Sequence, residues 1–187
     1  MKKSHFIFLF LSTIISFSCS LNYNNSENSE GSIPEFCFKN ANYTKYESNK
    51  KNISLKAAQL EQYKSDNAVF AKNAEFETFD SEGKQDTSGF CNLISANTKK
   101  ELYTLYGDIQ LNLQKQEMKI LADALNFNKK TEQITSGKNS EVRLSKKDVE
   151  MSGYGFSASG VSNTFSFIDT VSGTITTSEE QESENAE

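Results

Sequence analysis

The sequence contains no tryptophan, one proline and one histidine, and its apolar residues reach only 36 per cent. So small an apolar share argues against a doubly covered α/β core and favours a sheet with one wet face. The histidine, His5, lies in the N-terminal leader. The rest of the chain therefore offers no imidazole as a general base or metal ligand. No nucleophile motif, glycine-rich phosphate loop or metal-ligand spacing is present, and the carboxylates are scattered. We expect no enzyme, no metal and no cofactor. The formal charge is −5, without basic clusters, which argues against nucleic acid as a partner and against a basic patch for anionic headgroups.

A long hydrophobic run is also missing. The apolar stretch from Phe6 to Phe17 covers about 12 residues, broken by Ser12, Thr13 and Ser16, whereas a spanning helix needs roughly 20. Lys2 and Lys3 precede it, and Ser16-Phe17-Ser18-Cys19 closes it with a small residue before cysteine. This is a secretory signal pattern, and it resembles a bacterial lipoprotein signal with a loose lipobox. On that reading residues 1–18 are removed and Cys19 becomes the lipidated N-terminus, carrying diacylglycerol and an N-acyl chain. Losing Lys2 and Lys3 takes the charge from −5 to −7. An uncleaved transmembrane anchor is the alternative. Residues 19–35, rich in Asn, Ser and Glu, read as a flexible tether. The five glutamates within 178–187 read as a disordered acidic tail.

Between these ends, residues 36–177 alternate apolar and polar side chains in short runs. Ile109, Leu111 and Leu113 alternate with Gln110, Asn112 and Gln114, which places the apolar set on one face of a strand. Lys115, Gln116 and Glu117 make a turn, after which Met118 and Ile120 resume the period of two. Gly107-Asp108 marks a turn or bulge. Ile53, Leu55 and Ala57 form another strand, and Leu60 and Tyr63 continue out of phase through a bulge. Asp80-Ser81-Glu82-Gly83-Lys84 is a hairpin turn. Only Leu55 to Tyr63 and Leu121 to Phe127 show helix-compatible spacing, and both are short for an isolated helix. Roughly a dozen short strands with polar turns predict an all-β antiparallel fold. With fourteen phenylalanines and seven tyrosines in the chain, the core is expected to be thin, with much of the apolar area in aromatic side chains.

Several segments share a form in which alternating apolar residues lead to alanine: Ile53 to Ala57, Leu93 to Ala96, Ile120 to Ala124 and Gly155 to Ala158. Gly107-Asp108-Ile109 and Ser172-Gly173-Thr174-Ile175 form a second recurrent element. With Ala122-Asp123-Ala124-Leu125-Asn126-Phe127, these motifs resemble the repeat of the bridge proteins of lipopolysaccharide export, and specifically the LptC family. The resemblance covers roughly residues 38–177. It implies a twisted antiparallel β-jellyroll, V-shaped in section, with an open apolar groove for the acyl chains of lipid A. It further implies an LptB/LptF/LptG-like inner-membrane ABC transporter as donor and an LptA-like bridge protein as acceptor. The partner jellyrolls would add edge to edge by β-augmentation. The expected location is the periplasmic face of the inner membrane, lipid-anchored at Cys19. Ser20 is not an obvious inner-membrane retention signal, so the outer membrane stays open.

Ile109, Leu111, Leu113, Met118, Ile120, Leu125 and Phe127 are the candidate groove residues of the central stretch. Val142, Leu144, Met151, Phe156, Phe165 and Phe167 are those of the C-terminal part. The same residues would form the core of an ordinary β domain, and a groove is favoured because no covering element is present. Cys37 and Cys91 either pair in an oxidising compartment or remain two buried free thiols. An LptA-type bridge protein and a surface β-sandwich lipoprotein that binds other proteins remain as alternatives.

Overall fold

In the computed structural model the described residues are 33–64, 67–162 and 164–176. The signal at 1–18, Cys19, nearly all of the tether and the tail at 178–187 lie outside them. Twelve strands make one antiparallel sheet. Six are long: β1 (Phe36–Glu47), β2 (Lys50–Tyr63), β3 (Ala68–Phe79), β4 (Gln85–Asn97), β5 (Leu102–Leu113) and β6 (Met118–Asn128). They form a meander in which each pairs with the next. Six shorter strands follow: β7 (Gln133–Thr135), β8 (Glu141–Lys146), β9 (Val149–Tyr154), β10 (Ser157–Ser159), β11 (Thr164–Ser166) and β12 (Asp169–Ile175).

After β6 the sheet divides. The C-terminal end of β6 pairs with β7, which continues to β10 and β11. The N-terminal end of β6 pairs with β8, which continues to β9 and β12. Two leaves result, sharing the six long strands. Leaf A ends at β11 and leaf B at β12.

The line between the leaves is written in the backbone. Asn40 on β1, Asn73 on β3 and Gly107-Asp108 on β5 all have positive φ, at 51°, 47°, 71° and 48°. The register places them side by side across the sheet. Their neighbours on β2, β4 and β6 are Ala58, Asn92 and Asp123, and the pairing shifts at the Gly107-Asp108 bulge. Asn92 Nδ2 donates to Asp108 Oδ2 across this line at 2.8 Å. Left-handed backbone is strained for most L-residues but tolerated by Asn, Asp and Gly. At this crease the alternation slips by one residue. Inward positions run Ile53, Leu55, Ala57 and then Leu60 on β2; Val69, Ala71 and then Ala74 on β3; and Ile120, Ala122 and then Leu125 on β6. Two consecutive side chains then point outward at the corner, as Lys72 and Asn73 do. A strand bending away from its convex side needs that extra residue.

The out-of-phase Leu60 therefore marks the crease. The expected dozen short strands are corrected in one respect: the first six run 11–14 residues. The phase slip looks like a strand end when one segment is read alone. The two helix-compatible segments lie in β2 and β6. The Asp80 hairpin forms where the sequence places it. Asp80 Oδ1 accepts from the Glu82 and Lys84 amides at 2.9 and 3.0 Å, and Gly83 adopts φ 85°.

No helix is present among the described residues, so the inner face is covered by its own two leaves. Side chains from both join a single cluster: Ala71, Leu105 and Leu125 from leaf A, and Leu111, Ile120, Val142 and Leu144 from leaf B. Beside the crease the cross-strand row Ala41, Ala57, Ala74 and Cys91 is made of small residues, as converging leaves require. One row further into leaf B, Leu55, Phe76, Gly89, Leu111, Ile120, Leu144 and Met151 lie in register. A Cβ on Gly89 would sit 2.5 Å from Phe76 Cζ and 2.7 Å from Leu111 Cδ2. The Phe76 ring thus occupies the space that the glycine leaves.

Two outcomes test this geometry by urea unfolding. Gly89→Ala overpacks the row and is expected to cost about 1–3 kcal/mol, with Phe76→Leu in the same chain recovering part of the loss. Asn73→Val is expected to cost about 1–2 kcal/mol for its left-handed backbone, whereas Asn73→Gly leaves stability nearly unchanged or raises it.

Candidate functional site

The interior is built in layers from the crease outward. Next to the crease lie the small residues and Ile109, Ala122, Val142 and Gly153, in one cross-strand row. The middle layer holds Leu60, Ala71, Ile94, Leu105 and Leu125 on leaf A, and the Leu55-to-Met151 row on leaf B. The rim comes last. Tyr103, Phe127, Ile134, Ala158 and Phe165 are in register on leaf A, and Leu113, Met118 and Val149 lie on the rim of leaf B. Burial falls in the same order, from the crease and middle layers to a half-exposed rim.

The sequence-predicted groove residues come together in this interior. Ile109, Ile120, Leu125, Val142 and Phe156 are at most 1 % exposed, and Leu111 and Leu144 are buried with them. Leu113, Met118, Met151 and Phe167 are partly buried and packed against the cluster, and Phe127 is partly buried with its ring 6.0 Å from that of Tyr103. Phe165 is on the rim and 43 % exposed. Absent from the sequence-based set are Leu55, Leu60, Phe76, Ile94, Tyr103, Leu105 and Ile134, which complete the lining on β2 to β5 and β7. The signal for them is the same alternation, hidden where the phase slips.

The interior is apolar throughout. No polar or charged side chain is buried among the described residues, and none of their His, Cys, Asp and Glu groups cluster as a metal site would. Charge is confined to the outer faces, the loops and the rim of leaf B, where Lys45 and Lys146 share the row of Leu113, Met118 and Val149. Lys115 Nζ bridges Asp80 at 3.2 Å and Asp86 at 3.3 Å. Asp80 is held below the usual carboxylate range, chiefly by the Lys84 amide and also by Lys115. Exposed pairs of this kind contribute little stability. Such an interior can solvate hydrocarbon; below the rim its lining carries no acid, base or buried charge.

The pairing alternative for the two cysteines is corrected. Both are free, Cys91 buried and Cys37 exposed. The cross-strand row through Cys91 reaches β1 at Ala41, three strand spacings away, about 14 Å. A disulfide tolerates Cα atoms only to about 7 Å apart. Burial pushes the Cys91 thiol up to about 11. The other alternative, two buried thiols, fails only at Cys37, whose strand is the sheet edge.

Among the described residues both ends of the sheet are open edges. β1 borders one end, with Phe36 and Phe38 stacked at 6.2 Å and exposed. β11 and β12 border the other, where Ile168, Val171 and Ile175 are exposed. A buried apolar interior between two leaves of one creased sheet, with one strand edge left unpaired at either end among the described residues, defines an open two-leaved β scaffold.

Comparison with known families places the chain within that class. The model described as lipopolysaccharide-assembly, LptC-related, matches residues 6–176, and the chain belongs to the LptC family. No curated protein matches it. Membership implies a component of the lipopolysaccharide transport bridge, working with lipopolysaccharide and other bridge components at the periplasmic side of the inner membrane.

The thiols give a direct check. With Cys19 blocked, a disulfide reagent at pH 8 is expected to label Cys37 in the native chain and Cys91 only in denaturant. An unfolded thiol ionises near pH 8.5, whereas folded Cys91 keeps its proton to about 11. Its stabilising contribution is therefore full below pH 8.5 and lost as pH rises toward 11. Cys91→Ala is expected to flatten the decline of stability over that range, read as the difference between the two chains in urea.

Proposed function

We propose that this chain is the LptC component of a lipopolysaccharide bridge. It accepts a lipid A-containing glycolipid from an LptB/LptF/LptG-like ABC transporter and passes it to an LptA-like protein. The acyl chains travel between the leaves while the sugars remain in water. The half-exposed apolar rim of leaf A, from Tyr103 through Phe127 to Phe165, above an interior without a buried polar side chain among the described residues, carries this reading. Hydrocarbon entering there leaves water at about 25 cal/mol per Å², and no polar group is stranded by it.

The partners add to the free edges by β-augmentation, in which main-chain hydrogen bonds give affinity. The exposed apolar residues beside β1 and β12 support that use. Energy comes from ATP hydrolysis in the transporter, and each newly extracted lipid displaces the one ahead. A diacylated Cys19 holds the domain at the periplasmic face of the inner membrane, with residues 20–35 as the tether.

In living cells, a photo-crosslinking residue at Leu113 or Phe127 is expected to capture glycolipid in a manner that requires the transporter's ATPase. The same residue at the outward Asn112 or Lys119 is expected to capture none. Equal capture at inward and outward positions, or none at any position with the protein well expressed, rejects the reading and favours a closed β core that binds proteins at its surface.

A further inference from the structure

The two ends of the interior are built differently. At the β1 end the inward side chains Phe36 and Phe38 are 49 % and 54 % exposed, and nothing among the described residues covers them. At the β11–β12 end Phe156 is the largest fully buried side chain. Its ring centroid lies 5.4 Å from that of Phe167 and 6.4 Å from that of Phe165, and those two stand 6.3 Å apart. The three rings fill that end.

None of the three is held by a long strand. Phe156 sits in the break between β9 and β10, after Gly155 at φ 64°. Its backbone is tied there by a reciprocal pair to Ser136, in the break between β7 and β8. The Phe156 amide donates to Ser136 Oγ and the Ser136 amide to the Phe156 carbonyl, both at 2.9 Å. Phe167 occupies the break between β11 and β12 and lies against Gly153, where a Cβ would meet its ring at 2.7 Å. Phe165 stands on β11, an exposed edge strand of three residues. Displacing the rings would therefore leave the pairing of the six long strands intact.

We infer that Phe156, Phe165 and Phe167 form a displaceable plug, so that acyl chains enter from the β1 end and are arrested until the β11–β12 edge is remodelled. Two of the three rings are borne by the edge segment itself. A chain that pairs with that edge acts directly on them, which couples release of lipid to the presence of an acceptor. The inference rests on the lipid-path reading above.

The test uses the full-length chain in detergent with lipid A as probe, and a photo-crosslinking residue at Phe38 (open end) or Ile134 (the row that runs into the plug). In the otherwise unchanged chain, adducts are expected at position 38, with several-fold fewer at 134. Phe156→Ala is expected to raise the yield at 134 several-fold relative to that at 38. Phe167→Leu, a milder change in a half-buried ring, is expected to act in the same direction and serves if Phe156→Ala does not fold, as monitored by thermal unfolding.

Equal yields at 38 and 134 before any plug substitution overturn the plug while leaving the lipid path intact. So does a folded variant in which the ratio does not change, or in which both yields fall together as for a purely structural residue. Adducts at neither position remove the lipid path, and the plug with it.

Discussion

A β-sheet with no helix to lie against must bury its apolar face against itself, and the crease is how this chain meets that constraint. Left-handed backbone at Asn40, Asn73 and Gly107-Asp108 falls on one line across the sheet. At that line each long strand turns a corner without ending. The ladder of main-chain hydrogen bonds therefore continues from one leaf into the other, and the backbone groups of the corner stay paired or reach water. Small residues beside the crease let the leaves converge, and larger ones further out fill the widening space. An unbroken β-branched strand at those positions would stay flat and leave its apolar face wet.

The same constraint shapes the edges. Closing the sheet into a barrel would remove them, but a creased sheet keeps one at each end. Unpaired edges are hazards in most β proteins because they invite association. Here they lie at the two ends of the apolar interior, so a jellyroll added at either end would extend the interior as well as the sheet. On the proposed reading the work of transport is done in the transporter, and this domain contributes continuity of the apolar path.

The contrast between the crease and the C-terminal breaks is equally physical. In β1 to β6 the corner is a slip within a continuous strand, and packing on both sides holds it. In the last six strands the corner is a true interruption, and Gly155, Phe156, Phe167 and Ile168 carry the chain across it outside the ladder. Such segments have fewer main-chain bonds to lose and open at lower cost than long strands do. Opening is thus expected to cost least at the end where the proposed acceptor would dock.

Local features are legible in the residues themselves. The alternation of Ile109, Leu111 and Leu113, the turn at Lys115 to Glu117 and the Asp80 hairpin belong to this kind, because side-chain parity and turn chemistry act over two to four residues. The repeat points to the LptC family, and the inward residues of β5, β6, β8 and β9 follow from parity alone, whereas Phe156 and Phe167 lie in breaks between strands, where parity does not reach. Alignment between strands is not written in any one of them. Leu60 out of phase, or Gly107-Asp108 in mid-strand, looks like a local fault until register sets it beside Asn40, Asn73 and Asn92. Short strands then become long creased ones. Register also separates Cys37 from Cys91 and gathers Phe156, Phe165 and Phe167 at one end. Parity belongs to a single strand and is determined by its sequence; register, and with it the crease, arises only when every strand has chosen its neighbours.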